Sequence, residues 1–199
     1  MSRLAIFVDG GYVDALAEDE FQMRIDVGKL VDGIQNVVAT GTTDSLDILR
    51  TFYYHCLPYQ SNPPTQAEAE RYGRKRSFFN ALRRLSRFTV REGRLAFKGI
   101  DINGKQIFQQ KRVDLLLGLD FALLSGKRQI THAAIVSGDS DLLPAFHVAK
   151  AEGILVWLFH GPRRSRIDGS PTFAQELWDA ADERYEIDLT FMRTIQRTP

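Results

Sequence analysis

Residues 133–159 read AAIVSGDSDLLPAFHVAKAEGILVWLF, and their order decides the fold. Ala133 to Val136 is a short apolar run that stops at Ser137-Gly138-Asp139-Ser140-Asp141, and Ile154 to Phe159 is a second. Neither alternates with polar residues, as expected of strands covered on both faces. Asp141 to Glu152 between them is long enough for a helix, with Asp141 as cap, Pro144 in the first turn and Gly153 at the end. Strand, helix and strand in that order make a parallel unit.

Working outward, Leu4 to Val8 is a third buried strand, ending at Asp9-Gly10-Gly11, and Leu46 to Tyr54 is a fourth. Arg112 to Leu124 predicts an apolar helix before the quoted stretch, and Ala174 to Ala181 predicts one after it. The alternation predicts an α/β protein with a mainly parallel sheet and helices on both faces. The middle departs from this rhythm. Thr65 to Ser86 reads as a polar helix with Phe78, Phe79, Leu82 and Leu85 at helical spacing, and Thr89 to Phe97 reads as a hairpin turning at Glu92 and Gly93. Asn62-Pro63-Pro64 marks the loop entering it, and Asn103-Gly104 a second turn. Residues 62–105 are therefore expected to form a basic helix-hairpin insertion on one domain spanning residues 1–199, a length close to the roughly 150 residues of a typical domain.

The formal net charge of +1 conceals an uneven distribution. Arg71 to Lys98 holds ten basic residues and one acid, Glu92, for +9, and the rest of the chain carries −8. No apolar run approaches the roughly 18 residues of a membrane span, and no secretory signal is evident, so a cytoplasmic address with no membrane partner is expected. Cys56 is the single cysteine, and the four histidines show no metal-binding spacing, which argues against zinc.

The carboxylates carry the chemistry. Asp9 and the Asp139/Asp141 pair each follow an apolar strand, at the edge where open parallel sheets bind ligands. Asp114 starts a helix whose next residues, Leu115 to Leu117, are apolar; Asp120 lies about 240° further round that helix. Helix capping is the bland alternative for Asp114 and Asp141, whereas Asp9 and Asp139 are expected to have no equal capping role. Four converging carboxylates repel, and a hard divalent cation, Mg²⁺ or Mn²⁺, would compensate them. Such a site suits phosphodiester hydrolysis. No phosphate-binding GxxxxGK[ST] loop is present. A phosphoacceptor receiver domain would want a Lys after the last strand, where this chain has His160-Gly161-Pro162-Arg163.

Phe7-Val8-Asp9-Gly10, Lys111-Arg112-Val113-Asp114 with Asp120, Val136-Ser137-Gly138-Asp139-Ser140-Asp141 and Gly153-Ile154 together resemble the NYN domain family, and its LabA-like branch among the PIN-like nucleases. The resemblance spans residues 4 to about 160. It implies a Rossmann-like (PIN-like) sheet and a metal-dependent ribonuclease, with Asp9, Asp114, Asp139 and Asp141 as catalytic metal ligands and Asp120 as a fifth candidate. Two positions depart from the family pattern: Tyr12 stands where VDGxN has Asn, and Arg112 stands where Gly is usual. Some domains of the family are thought to bind RNA without cutting it, so a catalytically weak RNA-binding or regulatory module is the alternative.

The basic stretch is expected to hold a polyanion, single-stranded RNA, by its phosphates. Candidate substrate-binding residues are Arg74, Lys75, Arg83, Arg84 and Arg87 from that stretch. Tyr12 and Lys111 beside the acidic turns join them, as do Arg163, Arg164 and Arg166 after the last strand. The phenylalanines of this region are expected to be core. A homodimer is left open.

Overall fold

The computed structural model describes residues 2–100 and 106–197. Seven strands, β1 (Ser2–Asp9), β2 (Leu46–Cys56), β3 (Phe88–Ile100), β4 (Gln106–Lys111), β5 (His132–Val136), β6 (Leu155–His160) and β7 (Glu183–Glu186), form one sheet in the order β4-β3-β2-β1-β5-β6-β7. All neighbours are parallel except β3 and β4. This is the mainly parallel α/β architecture expected from the apolar runs.

The central strands are buried on both faces because two helical layers cover them. Leu4, Ile6 and Val8 of β1 join one core with α1 (Gly10–Ala15), α2 (Val27–Thr40), α3 (Gln66–Leu82) and α7 (Leu189–Thr194). Ala5 and Phe7 face the opposite core, formed with α4 (Val113–Gly126), α5 (Leu143–Ala151) and α6 (Gln175–Ala180). The chain builds outward from β1 through β2 and β3, then crosses back to place β5 on the other flank of β1. Strand order therefore reverses between β1 and β5, the position at which such sheets open a crevice at their carboxyl edge. No helix among the described residues is long and apolar enough to cross a membrane.

The middle of the chain corrects the expected hairpin turn. β3 does not turn at Glu92 and Gly93; it runs on beside β2, with Glu92 paired to His55 and Gly93 to Cys56. Residues 66–93 are thus a helix and strand of the main sheet, and only the β3–β4 arm from Arg94 onward projects past its edge. The Asn103-Gly104 turn lies outside the described residues. Phe97 and Phe108 of the arm pack with Tyr59 from the loop after β2, outside both cores, and Phe97 is 44% exposed, so these aromatics are not core.

Candidate active site

β1 and β5 are paired with Val8 level with Val136, so Asp9 and Ser137 leave the sheet side by side at the switch point. Asp9 caps α1: its Oδ1 accepts from the N–H groups of Gly11 at 2.9 Å and Tyr12 at 3.1 Å. Asp139 caps the short 3-10 turn Ser140–Leu142, its Oδ1 accepting from Asp141 N–H at 2.9 Å. The distribution of capping is therefore the reverse of the one expected. Asp9 and Asp139 are the caps, whereas Asp114 sits inside the first turn of α4, whose cap position is Arg112 with no side-chain bond. A cap through one oxygen leaves the other oxygen of each carboxylate for chemistry.

Asp114 reaches this edge through the β3–β4 arm. β4 returns antiparallel to β3 as far as Lys111, and Arg112 then turns the chain into α4 at φ 74°. That is the left-handed region, where a β-carbon costs about 1–2 kcal/mol and glycine is at ease, so the departure from the family's Gly carries strain. Arg112→Gly is expected to stabilise the fold by about 1 kcal/mol, a rise in Tm of about 2–4 °C measurable by calorimetry.

The carboxylates act on one another. Burial pushes the Asp9 carboxyl up to about 6, against hydrogen bonds from Tyr12 and Gly11 and with help from the Asp114 charge. Asp114 is also raised, by burial first and then by Asp139 and Asp141. Among the described residues no three His, Cys, Asp or Glu side chains stand close enough to hold one ion. The four thus share an electrostatic field without forming a closed coordination shell. All their donors are oxygens, and a hard divalent cation would relieve both the burial of negative charge and the added repulsion that raise Asp9 and Asp114, so the donor set suits Mg²⁺ or Mn²⁺.

Glycines let the acidic turns approach their neighbours. A β-carbon on Gly10 would come within 2.6 Å of the Tyr53 hydroxyl, and one on Gly138 within 2.4 Å of the Thr172 carbonyl. Asp14, Lys75 and His55 form a cluster that sequence reading did not assemble. Cys56 N–H donates to His55 Nδ1 at 2.7 Å, which leaves Nε2 to carry the proton and donate to Asp14 Oδ2 at 2.8 Å. Lys75 Nζ donates to the same oxygen at 2.8 Å. Burial alone would raise Asp14, but these bonds and charges hold it below the usual carboxylate range. No local motif joins residues 14, 55 and 75, so only the packing of α1, β2 and α3 brings them together.

Several candidates are placed elsewhere. Arg91 donates to both oxygens of Asp120 at 2.9 and 3.0 Å, and the Tyr54 hydroxyl donates to it at 3.0 Å; this ion pair removes Asp120 from the ligand set. The Tyr12 hydroxyl accepts from Gly161 N–H at 2.8 Å, and burial pushes it up to about 12, so it supports the turn and is not a free stacking group. Arg83 is paired with Glu92, and Arg87 with Asp47, which lies level with Arg3 at the amino edge of the sheet. Arg84 is exposed just after α3. Arg74 is exposed on α3, and Lys111 ends β4 beside the acids. Arg163, Arg164 and Arg166 are exposed on the loop after β6, Arg166 lying 5.4 Å over the Phe21 ring.

The chain can be set against known proteins. No curated protein matches it. The crystal structure of MurG from Acinetobacter baumannii superposes with a TM-score of 0.42 and 10% identity, covering 94% of this chain. This chain spans 41% of that protein's length, and the likeness carries no functional argument. The NYN domain matches residues 3–188, which include all four carboxylates, and the chain belongs to the NYN domain family, a PIN-like domain of nuclease type.

Proposed function

We propose that the chain is a metal-dependent ribonuclease of the LabA-like branch that hydrolyses single-stranded RNA in the cytoplasm. The observation that carries the reading is that carboxylates act on one another at the switch point: the Asp114 charge adds to burial in raising Asp9 to about 6, and the Asp139 and Asp141 charges add to burial in raising Asp114. Asp9, Asp114, Asp139 and Asp141 would hold Mg²⁺ or Mn²⁺. When bound, the cation supplies Lewis acidity, readying a water for attack on phosphorus and stabilising charge on the leaving oxygen. The chain's own residues do the rest. Asp9 keeps its free oxygen directed by the two backbone bonds on its partner oxygen. Arg74, Lys75, Lys111 and the arginines after β6 hold the strand by its phosphates. The exposed row Leu115, Leu119 and Leu123 on α4 is the surface a homodimer would cover.

A second reading is favoured by one observation: the described carboxylates are not gathered into a three-ligand set, which suits a weakly catalytic RNA-binding module. Incubation of single-stranded RNA with Mn²⁺ or Mg²⁺, with and without chelator, separates the two. The nuclease reading expects chelator-sensitive cleavage that Asp9→Asn and Asp139→Asn abolish. Binding without cleavage in wild type favours the module, and cleavage that survives chelator removes the metal site.

Bases proposed to hold the strand and a base at the amino edge should behave differently. Arg74→Gln and Arg163→Gln are each expected to weaken RNA binding several-fold and to lower the slope of log affinity against log salt by about one. Arg87→Gln, from the amino edge, should leave both quantities unchanged in the same titration.

A further inference from the structure

A cavity of about 570 Å³ opens beside the amino-terminal half of α3, with none of the four carboxylates in its lining. Five cations line it: Arg24, Arg71, Arg74, Lys75 and Arg197. Only Asp14 and Glu18 oppose them. Asp14 is already engaged by Lys75 and His55, and Arg74 lies 3.8 Å from Glu70. Among the described residues no acid pairs with the side chains of Arg24, Arg71 or Arg197.

The backbone brings two of these residues together. Arg197 N–H donates to the Arg24 carbonyl at 2.8 Å, next to the antiparallel bridge between Ile25 and Gln196. Arg71, Arg74 and Lys75 are spaced three and four residues apart and so share one face of α3. Like charges fixed across a cavity repel unless an anion lies between them. The rest of the lining is apolar, with Met23, Ile25, Pro58 and the ring of Phe78, over which Lys75 lies at 5.5 Å. Cations on the walls and an aromatic floor match a ligand with an anionic end and a flat, weakly polar body. The volume falls in the range of pockets that take one small ligand, roughly 300–1,000 Å³.

We infer that this cavity is a nucleotide-binding site, taking phosphate on Arg24, Arg71 and Arg197 and a base against Phe78. The nucleotide is either free or the end of an RNA strand, the two having one chemistry. Asp14, in the cavity wall, is five residues beyond Asp9, about 7.5 Å along α1, so a strand end lodged here would be next to the acidic turns. The site shares Arg74 and Lys75 with the ribonuclease reading but does not rest on cleavage, because it needs cations and no metal.

Calorimetric titration of the full chain in chelator tests it, with adenosine monophosphate, inorganic phosphate, and an eight-nucleotide RNA with and without a 5′-phosphate as probes. Arg71→Glu combined with Arg197→Glu should weaken nucleotide or RNA binding at least tenfold and lower the salt slope by about two, with Tm unchanged because both side chains are exposed. Phe78→Leu should weaken it about fivefold or more with the slope unchanged, since stacking and not charge is lost. Adenosine monophosphate binding as tightly as the octamer identifies a free nucleotide; tight binding of only the 5′-phosphorylated octamer identifies a strand end. The inference is overturned if neither nucleotide probe binds, or if the charge reversals leave affinity intact. Inorganic phosphate binding equally well, with Phe78→Leu silent, overturns it too. A wild-type chain that binds these probes but cleaves no RNA with Mn²⁺ or Mg²⁺ would sink the nuclease reading and leave this site standing.

Discussion

Asp9→Asn unfolds at higher temperature than wild type at pH 7.5 in chelator, while losing RNA cleavage by about 10³-fold or more. The two effects have one origin. Folding raises the Asp9 carboxyl from its ordinary value of 3.8 to about 6. The folded chain therefore binds more protons than the unfolded chain between those values, and the stability associated with protonated Asp9 is lost as pH rises through about 6. A shift of this size corresponds to about 3 kcal/mol, which for a chain of this length is about 6–12 °C in Tm. Asn keeps an oxygen to accept from Gly11 and Tyr12, so the cap survives while the charge does not. The difference in Tm between variant and wild type should close as pH falls from 7 to 4. Added Mn²⁺ should raise the Tm of wild type and not of the variant. Equal melting of the two proteins at pH 7.5 would mean that Asp9 carries no buried charge, and a large drop would make capping its main role.

The sequence made the carboxyl edge legible because buried parallel strands need continuous apolar residues, and the acids interrupt those runs at their ends. β1, β5, β6 and the helix between the last two are where the runs at Leu4, Ala133 and Ile154 put them. α2 carries an equally local signal that the reading passed over: Val27, Leu30, Ile34 and Val38 at helical spacing after the cap Asp26. Other features had no local signal. Asp120 reads as a fifth ligand until Arg91, from a strand 29 residues away, takes both its oxygens. The +9 stretch reads as one rail until Arg83, Arg87 and Arg91 are seen to face Glu92, Asp47 and Asp120. Charge counts along a chain ignore long-range pairing, and here pairing divides the bases into structural ones and those open to a ligand. Capping was misjudged for a related reason. A carboxylate at a strand end looks free in sequence, yet the next residues turn at once into a helix whose first N–H groups need an acceptor.

The same limit governs Gly93, whose neighbour Glu92 made a hairpin turn the natural reading. In the folded chain Gly93 is mid-sheet beside Cys56, and a β-carbon there would lie 2.6 Å from Val113 Cγ2, 2.7 Å from the Lys111 carbonyl and 2.9 Å from Cys56 Sγ. Gly93 is needed for the space it leaves and not for a turn. It lets β3 pass against the junction of β4 and α4, the segment that delivers Asp114. Gly93→Ala is expected to cost about 3 kcal/mol, near the upper end for overpacking, because one of the three atoms is backbone and cannot rotate away. Relief by moving the 111–113 segment would also shift Asp114 from the other acids, so cleavage should fall further than the loss of folded protein explains. Combining Gly93→Ala with Val113→Ala should recover only part of the stability, since the Lys111 carbonyl remains in the way. Urea denaturation of wild type and the two variants measures the first effect, and cleavage at a temperature where all remain folded measures the second. A Gly93→Ala protein within 0.5 kcal/mol of wild type, roughly the scatter of neutral surface substitutions, would show that β3 does not approach α4 closely enough to position Asp114.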